Sequence, residues 1–319
     1  MKIVVLGAGA LGTVLGAHLA RAGEDVVLIA RGNRAAYLQE HGATLAGLAD
    51  FTVPVTVVTD PQHVQEADTL IVTVKTYDTA SALASVSHMQ TGNVLSIQNG
   101  VLKDEQLARA FGWEKVVGAM AVFSAEVLPT GTVRFTLNNG FYLGELPQGT
   151  SERVETLATM LDRAGIQSRV TPHIQSFEWS KYVAFVCLMA PAVLVRAETY
   201  KLLQDRYVAS VVADLLHETA RLAAARNIAL EDTAALPIQA LSRQSHADTL
   251  TRLLQVGDQF AARAPSHKIS TLQDLEQGKR LEVEEILGYA VQQGEELGVR
   301  TPTIGTCYRL IMGINHDLQ

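Results

Sequence analysis

The pattern of apolar and polar positions changes character once along this chain. Up to Val170, short β-branched runs alternate with helix-period stretches; after Thr171-Pro172 only the helical period remains. Lys2–Leu6 is a continuous apolar run of the kind that makes a buried parallel strand. A helical pattern follows to Ala22, Gly23 stops it, and residues 25–30 read as a second strand. Further strands are predicted at 51–57, 69–74, 94–97 and 116–123, with a short helix or turn at 62–67 and a helix at 79–88. Runs 132–137 and 141–143 flank Asn138-Asn139-Gly140, a hairpin signal, and such an antiparallel hairpin is expected to close the parallel sheet at its edge. An amphipathic helix at 152–164, capped by Gly165, and a strand at 166–170 complete this half.

The second half reads as helices at 177–195, 208–227, 249–262 and 271–297, the last introduced by a Ser270/Gln273 capping box and closed by Gly298. Thr301-Pro302 supplies an N-cap and first position for a final helix. The expected architecture is α/β: an N-terminal Rossmann-type dinucleotide-binding domain with a mostly parallel sheet over residues 1–170, plus an all-α C-terminal substrate domain over 171–319.

Composition narrows the function. With 319 residues, 48% of them hydrophobic, the chain can build two cores. A net charge of −7 with no lysine-arginine cluster argues against a nucleic-acid partner. The N-terminus lacks a charged leader, and the apolar run 182–195 is short and contains Pro191, so neither secretion nor a membrane span is expected. Cys187 and Cys307 lie in apolar helical settings and read as reduced core residues of a cytoplasmic protein; no metal site is assigned.

The chemistry begins where the first strand ends. Gly7-Ala8-Gly9-Ala10-Leu11-Gly12 is a G-x-G-x-x-G turn between strand and helix. Gly7 permits the turn, Gly9 admits a pyrophosphate, Gly12 lets helix and strand pack closely, and the helix N-terminus faces the phosphates. The second strand ends in Arg31, with Arg34 following, where an NAD site would carry a carboxylate. Arginine matches a 2′-phosphate, so NADP(H) is the expected cofactor; the competing reading is solvated loop charge. Lys75 and Asn99 fall at the carboxyl ends of strands, where ligands bind in such sheets. In the second half, Lys181 opens an apolar helix beside Trp179, placed either to donate a proton to a carbonyl oxygen or to snorkel from a helix end. Ser270, Asp274 and Glu282 recur at multiples of four along one predicted helix flank; each also has an ordinary account as cap, first-turn acid or surface charge.

Taken together, these motifs resemble the ketopantoate reductase family. The resemblance runs over nearly the whole chain: the glycine turn, the arginine after the second strand, Val74-Lys75, Gln98-Asn99-Gly100, Gly131 to Val133, Gly144-Glu145, Trp179 to Lys181, and Ser270 to Asp274 with Glu282 and Gly288 following. It implies NADPH-dependent reduction of ketopantoate to pantoate, a small 2-oxo acid substrate, and a route to pantothenate and coenzyme A. By the same resemblance Lys181 is the proton donor and Glu282 contacts the cofactor ribose and orders the site. Asn99 holds the nicotinamide end and the substrate, Lys75 reaches toward the cofactor, and Ser270 binds the substrate. Ser124, in the loop after the strand at 116–123, touches the cofactor again. Where the family sets asparagines after the lysine, this chain has Phe185, Cys187, Leu188, Met189 and Ala190 before Pro191, and it has His267 where an asparagine is common before Ser270. A buried hydroxyl without a partner costs about 1–3 kcal/mol, so this face suits a more apolar 2-oxo acid. A non-catalytic NADP(H)-binding protein is the reading from another class. His18, His173, His217 and His246 receive no partner from the sequence, and a homodimer stays open.

Overall fold

The run Lys2–Leu6 forms β1, and its neighbours explain why it is apolar at every position. It pairs in parallel with β2 (Asp25–Ile29) on one side and with β6 (Glu66–Val72) on the other, so it is a central strand whose two faces are both packed. Ile3 and Val5 pack into one apolar cluster with Leu28 and Ile71, while Val4 and Leu6 pack into a second with Val27 and Leu70. Successive side chains thus feed opposite layers. This computed structural model describes residues 1–233 and 236–318.

The chain forms two compact units: Met1–Gln98 with Leu102–Gln175, and Asn99–Val101 with Ser176–Gln319. In the first, α1 (Ala10–Arg21) links β1 to β2, and α2 (Gly32–His41) leads to β3 (Ala43–Gly47), β4 (Phe51–Val53) and β5 (Thr56–Val58). After β6 come α3 (Thr79–Ser85), β7 (Gln90–Ser96), α4 (Leu102–Phe111), β8 (Gly118–Val127), β9 (Val133–Gly144), α5 (Glu152–Arg163) and β10 (Ser168–Val170). A parallel sheet runs β5-β2-β1-β6-β7. A second, mixed sheet runs β10-β9-β3-β4, with β8 paired to β9.

This second sheet departs from the sequence reading in two places. Residues 51–57 are two strands, not one. Pro54 has no N–H to continue a ladder; before it β4 pairs antiparallel with β3, and after it β5 pairs in parallel with β2 in the other sheet. The Asn-Asn-Gly segment is not a hairpin turn either. β9 runs straight through it, and the register against β8 slips between Ala121 and Phe123, leaving one extra residue on β9 at Asn139-Gly140, where the Gly140 φ is +145°. Asn138 spends its amide on this bulge, donating to the Gly165 carbonyl at 3.1 Å and accepting from the Gln167 N–H at 3.3 Å. The turn lies at Leu128–Thr132 instead, where the Gly131 N–H donates to the Leu128 carbonyl and φ is +88°. The hairpin β8–β9 therefore belongs to the second sheet; at the edge of the first sheet stands only the segment leading into β8, where Val116 bridges Val94 of β7 in parallel and the Val117 N–H donates to the Val94 carbonyl at 2.9 Å.

The second unit is helical. It contains α6 (Ile174–Val195), α7 (Thr199–Gln204), α8 (Arg206–Ala225), α9 (Ile238–Ser242), α10 (His246–Arg263), α11 (Ser270–Glu276), α12 (Tyr289–Leu297) and α13 (Pro302–His316). Helix α6 is long and apolar enough to cross a membrane, but 83% of its most apolar window is buried in the molecule, which makes it a core helix. The single helix expected at 271–297 is broken. At the end of α11, Gly278 adopts φ +65°, its N–H donates to Leu275, and the Lys279 N–H donates to Asp274, a paired C-terminal closure that stops the helix. The chain turns helical again only at Val283, through a π-helical turn at Glu284–Gly288. Asn315 of α13 accepts from the Leu281 N–H at 2.8 Å and holds the intervening segment. Ser270 is the first residue of α11 and makes no cap, so the capping box is absent. Thr301 and Pro302 do open α13, yet the N-terminal amides there are satisfied by Glu218 of α8. Its buried carboxylate accepts from the Thr303 and Ile304 N–H groups at 2.9 Å each.

Candidate active-site residues

In the first unit the glycine turn is built by close approach. Gly7 has φ +104°, and a Cβ there would lie 2.7 Å from Val74 Cγ1. At Gly12 a Cβ would lie 2.0 Å from the Gly7 carbonyl oxygen, so only glycine lets α1 pack on β1. Gly9 differs: it is exposed, and a Cβ would meet nothing within 4 Å. It is also the N-cap of α1 and makes no side-chain cap. An open glycine before a helix that begins uncapped has the chemistry of a phosphate cradle, and the donor set fits a dinucleotide.

The two arginines part company. Arg34 donates from Nε to the Ala8 carbonyl at 3.0 Å, from Nη1 to the Gly131 carbonyl, and from Nη2 to Thr13 Oγ1 at 2.9 Å. It is neither solvated charge nor open to a phosphate; it clamps the glycine turn, and its burial lowers its pKa from the usual arginine value. Arg31 has a side chain that is 76% exposed, with one long contact of 3.4 Å to Asp78. Asp78 ends the turn that Lys75 begins, and its N–H donates to the Lys75 carbonyl at 2.9 Å. Arg31 and Lys75 thus flank one loop at the carboxyl end of β6.

Gln98 fixes that end of the sheet, a role the sequence did not suggest. Its Nε2 donates to the Val74 carbonyl at 2.8 Å and to Thr79 Oγ1 at 2.7 Å, while Ser96 donates to its Oε1. Ser124 lies inside β8, exposed, rather than in a loop after it. Thr136 donates to its carbonyl.

In the second unit Lys181 occupies the middle of α6 rather than its start. From Phe177 to Pro191 every residue of this helix is buried except Phe177, Lys181 and Phe185, which recur every four positions and are half-buried. Lys181 therefore belongs to a narrow accessible stripe with a phenylalanine one turn away on each side. Trp179 lies elsewhere: it is buried, edge-on to Tyr182 and beneath the Arg226 guanidinium. Both residues beside Lys181 are anchored. Ser180 donates to Ser176 and accepts from the Glu231 N–H at 2.8 Å. Tyr182 donates to the Ile286 carbonyl at 2.7 Å.

That last bond joins α6 to the π-helical turn, which follows directly on Glu282 and Val283. Glu282 is buried at 4% exposure, and Asp274 is buried as well. Gly100, with φ +86°, lies against the same turn; a Cβ there would be 2.9 Å from Ile286 Cδ1. Asn99, Lys181 and Glu282 are thus brought onto connected elements of one unit. Ser270 is exposed at the start of α11, and because the predicted helix is broken, Ser270 and Glu282 do not share a flank. Burial pushes the Tyr182 hydroxyl well above its usual pKa and also raises the Glu285 carboxyl. His267 is engaged in structure, with Nδ1 2.8 Å from Thr199 Oγ1 and its ring tilted against Phe260.

Comparison with known proteins decides the kinship. The model for ketopantoate reductase PanE/ApbA matches residues 3–148, and that for its C-terminal part matches 173–315. The chain belongs to the ketopantoate reductase family. It is 29% identical to a 2-dehydropantoate 2-reductase of Archaeoglobus fulgidus over 99% of both chains, and 28% identical to that of Pyrococcus abyssi over 98% of this chain and 97% of the other. Among solved structures it matches a ketopantoate reductase of this family from Ralstonia eutropha, at 27% identity and TM-score 0.84 over the full length of both. A D-mandelate dehydrogenase, at 20% identity, shares the fold with TM-score 0.84 over 100% of this chain and 99% of the other. As a member of the ketopantoate reductase family, the protein is an oxidoreductase of the Rossmann-plus-helical type.

Proposed function

We propose that this enzyme reduces 2-dehydropantoate to pantoate with NADPH, serving pantothenate and coenzyme A synthesis. The observation that carries the reading is the half-buried stripe of α6, which sets one ammonium between Phe177 and Phe185 on an otherwise buried helix. Family membership across both units supports it.

When bound, the dinucleotide supplies the hydride to the ketone carbon. The amides of Gly7 to Gly12 hold its pyrophosphate, with Ala8, Ala10 and Leu11 completing the turn. Arg31, exposed and only loosely held by Asp78, pairs with the 2′-phosphate. Lys75 and Ser124 reach the cofactor, Asn99 orients the nicotinamide end and the substrate, and Ser270 binds the substrate's polar end. Lys181 donates its proton to the ketone oxygen as that oxygen gains charge, so the product leaves as a neutral hydroxyl, and water reprotonates the amine. Glu282, buried and tied to α6 through the π turn, holds the ribose and orders the lysine. The domains divide the work at about 170/171.

A second reading keeps this mechanism and changes the substrate. Phe185, one turn beyond Lys181 on the accessible stripe, favours a more apolar 2-oxo acid. The test follows NADPH oxidation with ketopantoate and with branched and aromatic 2-oxo acids, alongside NADH. Ketopantoate turnover with NADPH sustains the first reading, and turnover with apolar acids alone moves it to the second. Lys181→Met should lower turnover about 10²–10⁴-fold while leaving NADPH affinity unchanged. Tight NADPH binding with no turnover of any acid would leave a non-catalytic binding protein.

A further inference from the structure

The helical unit carries a cavity of about 500 Å³ beside α8, α9 and the start of α10, in the range of small-molecule sites. Its lining includes Arg221, Arg243, His217 and His246 together with apolar Ile228 and Leu230. Among the described residues no carboxylate lines it, although the chain as a whole carries a net charge of −7. Asp214, beside it, is paired with His246 at 3.2 Å.

The two guanidiniums are lightly used. Arg221 makes one long contact, 3.5 Å to the Arg300 carbonyl, and the side chain of Arg243 makes no hydrogen bond or ion pair with any described residue. Arg226, five residues beyond Arg221, is by contrast engaged with Tyr289 and Gln293. We infer that this cavity is a binding site for a small organic anion, its phosphate or carboxylate held by Arg221 and Arg243 and its body resting on Ile228 and Leu230. Guanidinium forks match both head groups, and the apolar wall selects an organic body over a bare ion.

The titration of His217 agrees with that sign of charge. Burial lowers its pKa first, and the nearby His246 and Arg221 lower it further, while Asp214 and a hydrogen bond to the Leu241 carbonyl act the other way. An anion held beside Arg221 offsets that repulsion and raises the His217 pKa.

Calorimetry on the full chain, with excess NADPH present to cover the dinucleotide turn, would titrate phenyl phosphate, benzoate and inorganic phosphate. Saturable one-site binding is expected, tighter for phenyl phosphate or benzoate than for inorganic phosphate; the better of the two identifies the head group. Arg243→Gln and Arg221→Gln should each weaken it at least tenfold, whereas Arg31→Gln should leave it unchanged. The His217 ring signal should titrate at higher pH in the bound protein. Absence of saturable binding, or affinities that survive both substitutions, would overturn the assignment, as would loss of binding in Arg31→Gln alone.

Discussion

The glycine turn of the first unit and the lysine helix of the second are built on opposite plans. The turn is made of backbone: its glycines differ by what a single added carbon would strike, and its chemistry lies in N–H groups at the start of α1. The lysine helix is made of side chains. Lys181 rises from a buried helix, and the residues on either side of it are held by groups far along the chain, Ser180 by the Glu231 N–H and Tyr182 by the Ile286 carbonyl. A backbone site is set by spacing over six residues, while a side-chain site exists only once distant segments have packed.

The sharpest way to break this contrast is within the turn itself. Gly12→Ala drives a Cβ into the Gly7 carbonyl and should cost about 3 kcal/mol of stability, read by denaturant unfolding. Gly9→Ala has open space and an extended backbone, φ −68° and ψ −159°. It should unfold like the parent and bind NADPH at least tenfold more weakly. Equal destabilisation by both would remove the distinction between a glycine for packing and a glycine for the ligand.

Next in size is the arginine pair. Arg34→Ala removes three bonds to the turn and should cost about 2–3 kcal/mol with little change in the NADPH-to-NADH preference. Arg31→Ala should leave stability alone, since an exposed pair at 3.4 Å contributes little. It should cut that preference about 10–100-fold, the equivalent of about 1.5–3 kcal/mol for a charge-assisted bond.

In the helical unit, Tyr182→Phe removes the side-chain donor to the Ile286 carbonyl, which keeps the backbone N–H of Tyr289. The expected cost is about 0.5–1.5 kcal/mol in stability, with a fall in kcat and an unchanged NADPH affinity. A drop in affinity alone would separate the π turn from the proton donor.

The smallest effect is one of pH. Burial lowers the pKa of His18, whose Nδ1 lies 2.8 Å from the Ala164 carbonyl. The unfolded chain then binds a proton that the folded one resists. Stability is full above the unfolded value of 6.5 and declines as pH falls below it. His18→Gln should shrink the loss between pH 7.5 and 5.5 without abolishing it, because burial also lowers His217 and His267.

The same contrast explains what the sequence could express. The parallel sheet, the αβ order and the helical second half were legible because β1 is apolar on both faces and because α1, α5 and α6 carry strong local signals. The second sheet was not. β3 has no alternation strong enough to announce it, and it acquires its identity only by pairing Leu45 with Val133. Asn138-Asn139-Gly140 carries the local chemistry of a turn, and a long-range bond to Gly165 turns it into a bulge. The long helix failed at Gly278, where one left-handed residue outweighed the favourable period around it. In the candidate site, Lys181 was visible as a charge in an apolar run, but its neighbours were misjudged. Trp179 is adjacent in sequence and lies buried off its face, whereas Phe177 and Phe185 lie four residues away and share it. Arg34 looked like Arg31 until its three acceptors were known.

The pairing of β3 with β9 also has a meaning in time. Strands β1, β2, β5, β6 and β7 all lie within the first 96 residues, so a growing chain holds a complete parallel sheet early in its synthesis. β3 and β4 are made in the middle of that stretch, yet the partner of Leu45 is Val133. From the moment β3 leaves the ribosome until β9 follows it, one edge of that small hairpin has nothing to bond to, and the nascent protein must carry it open.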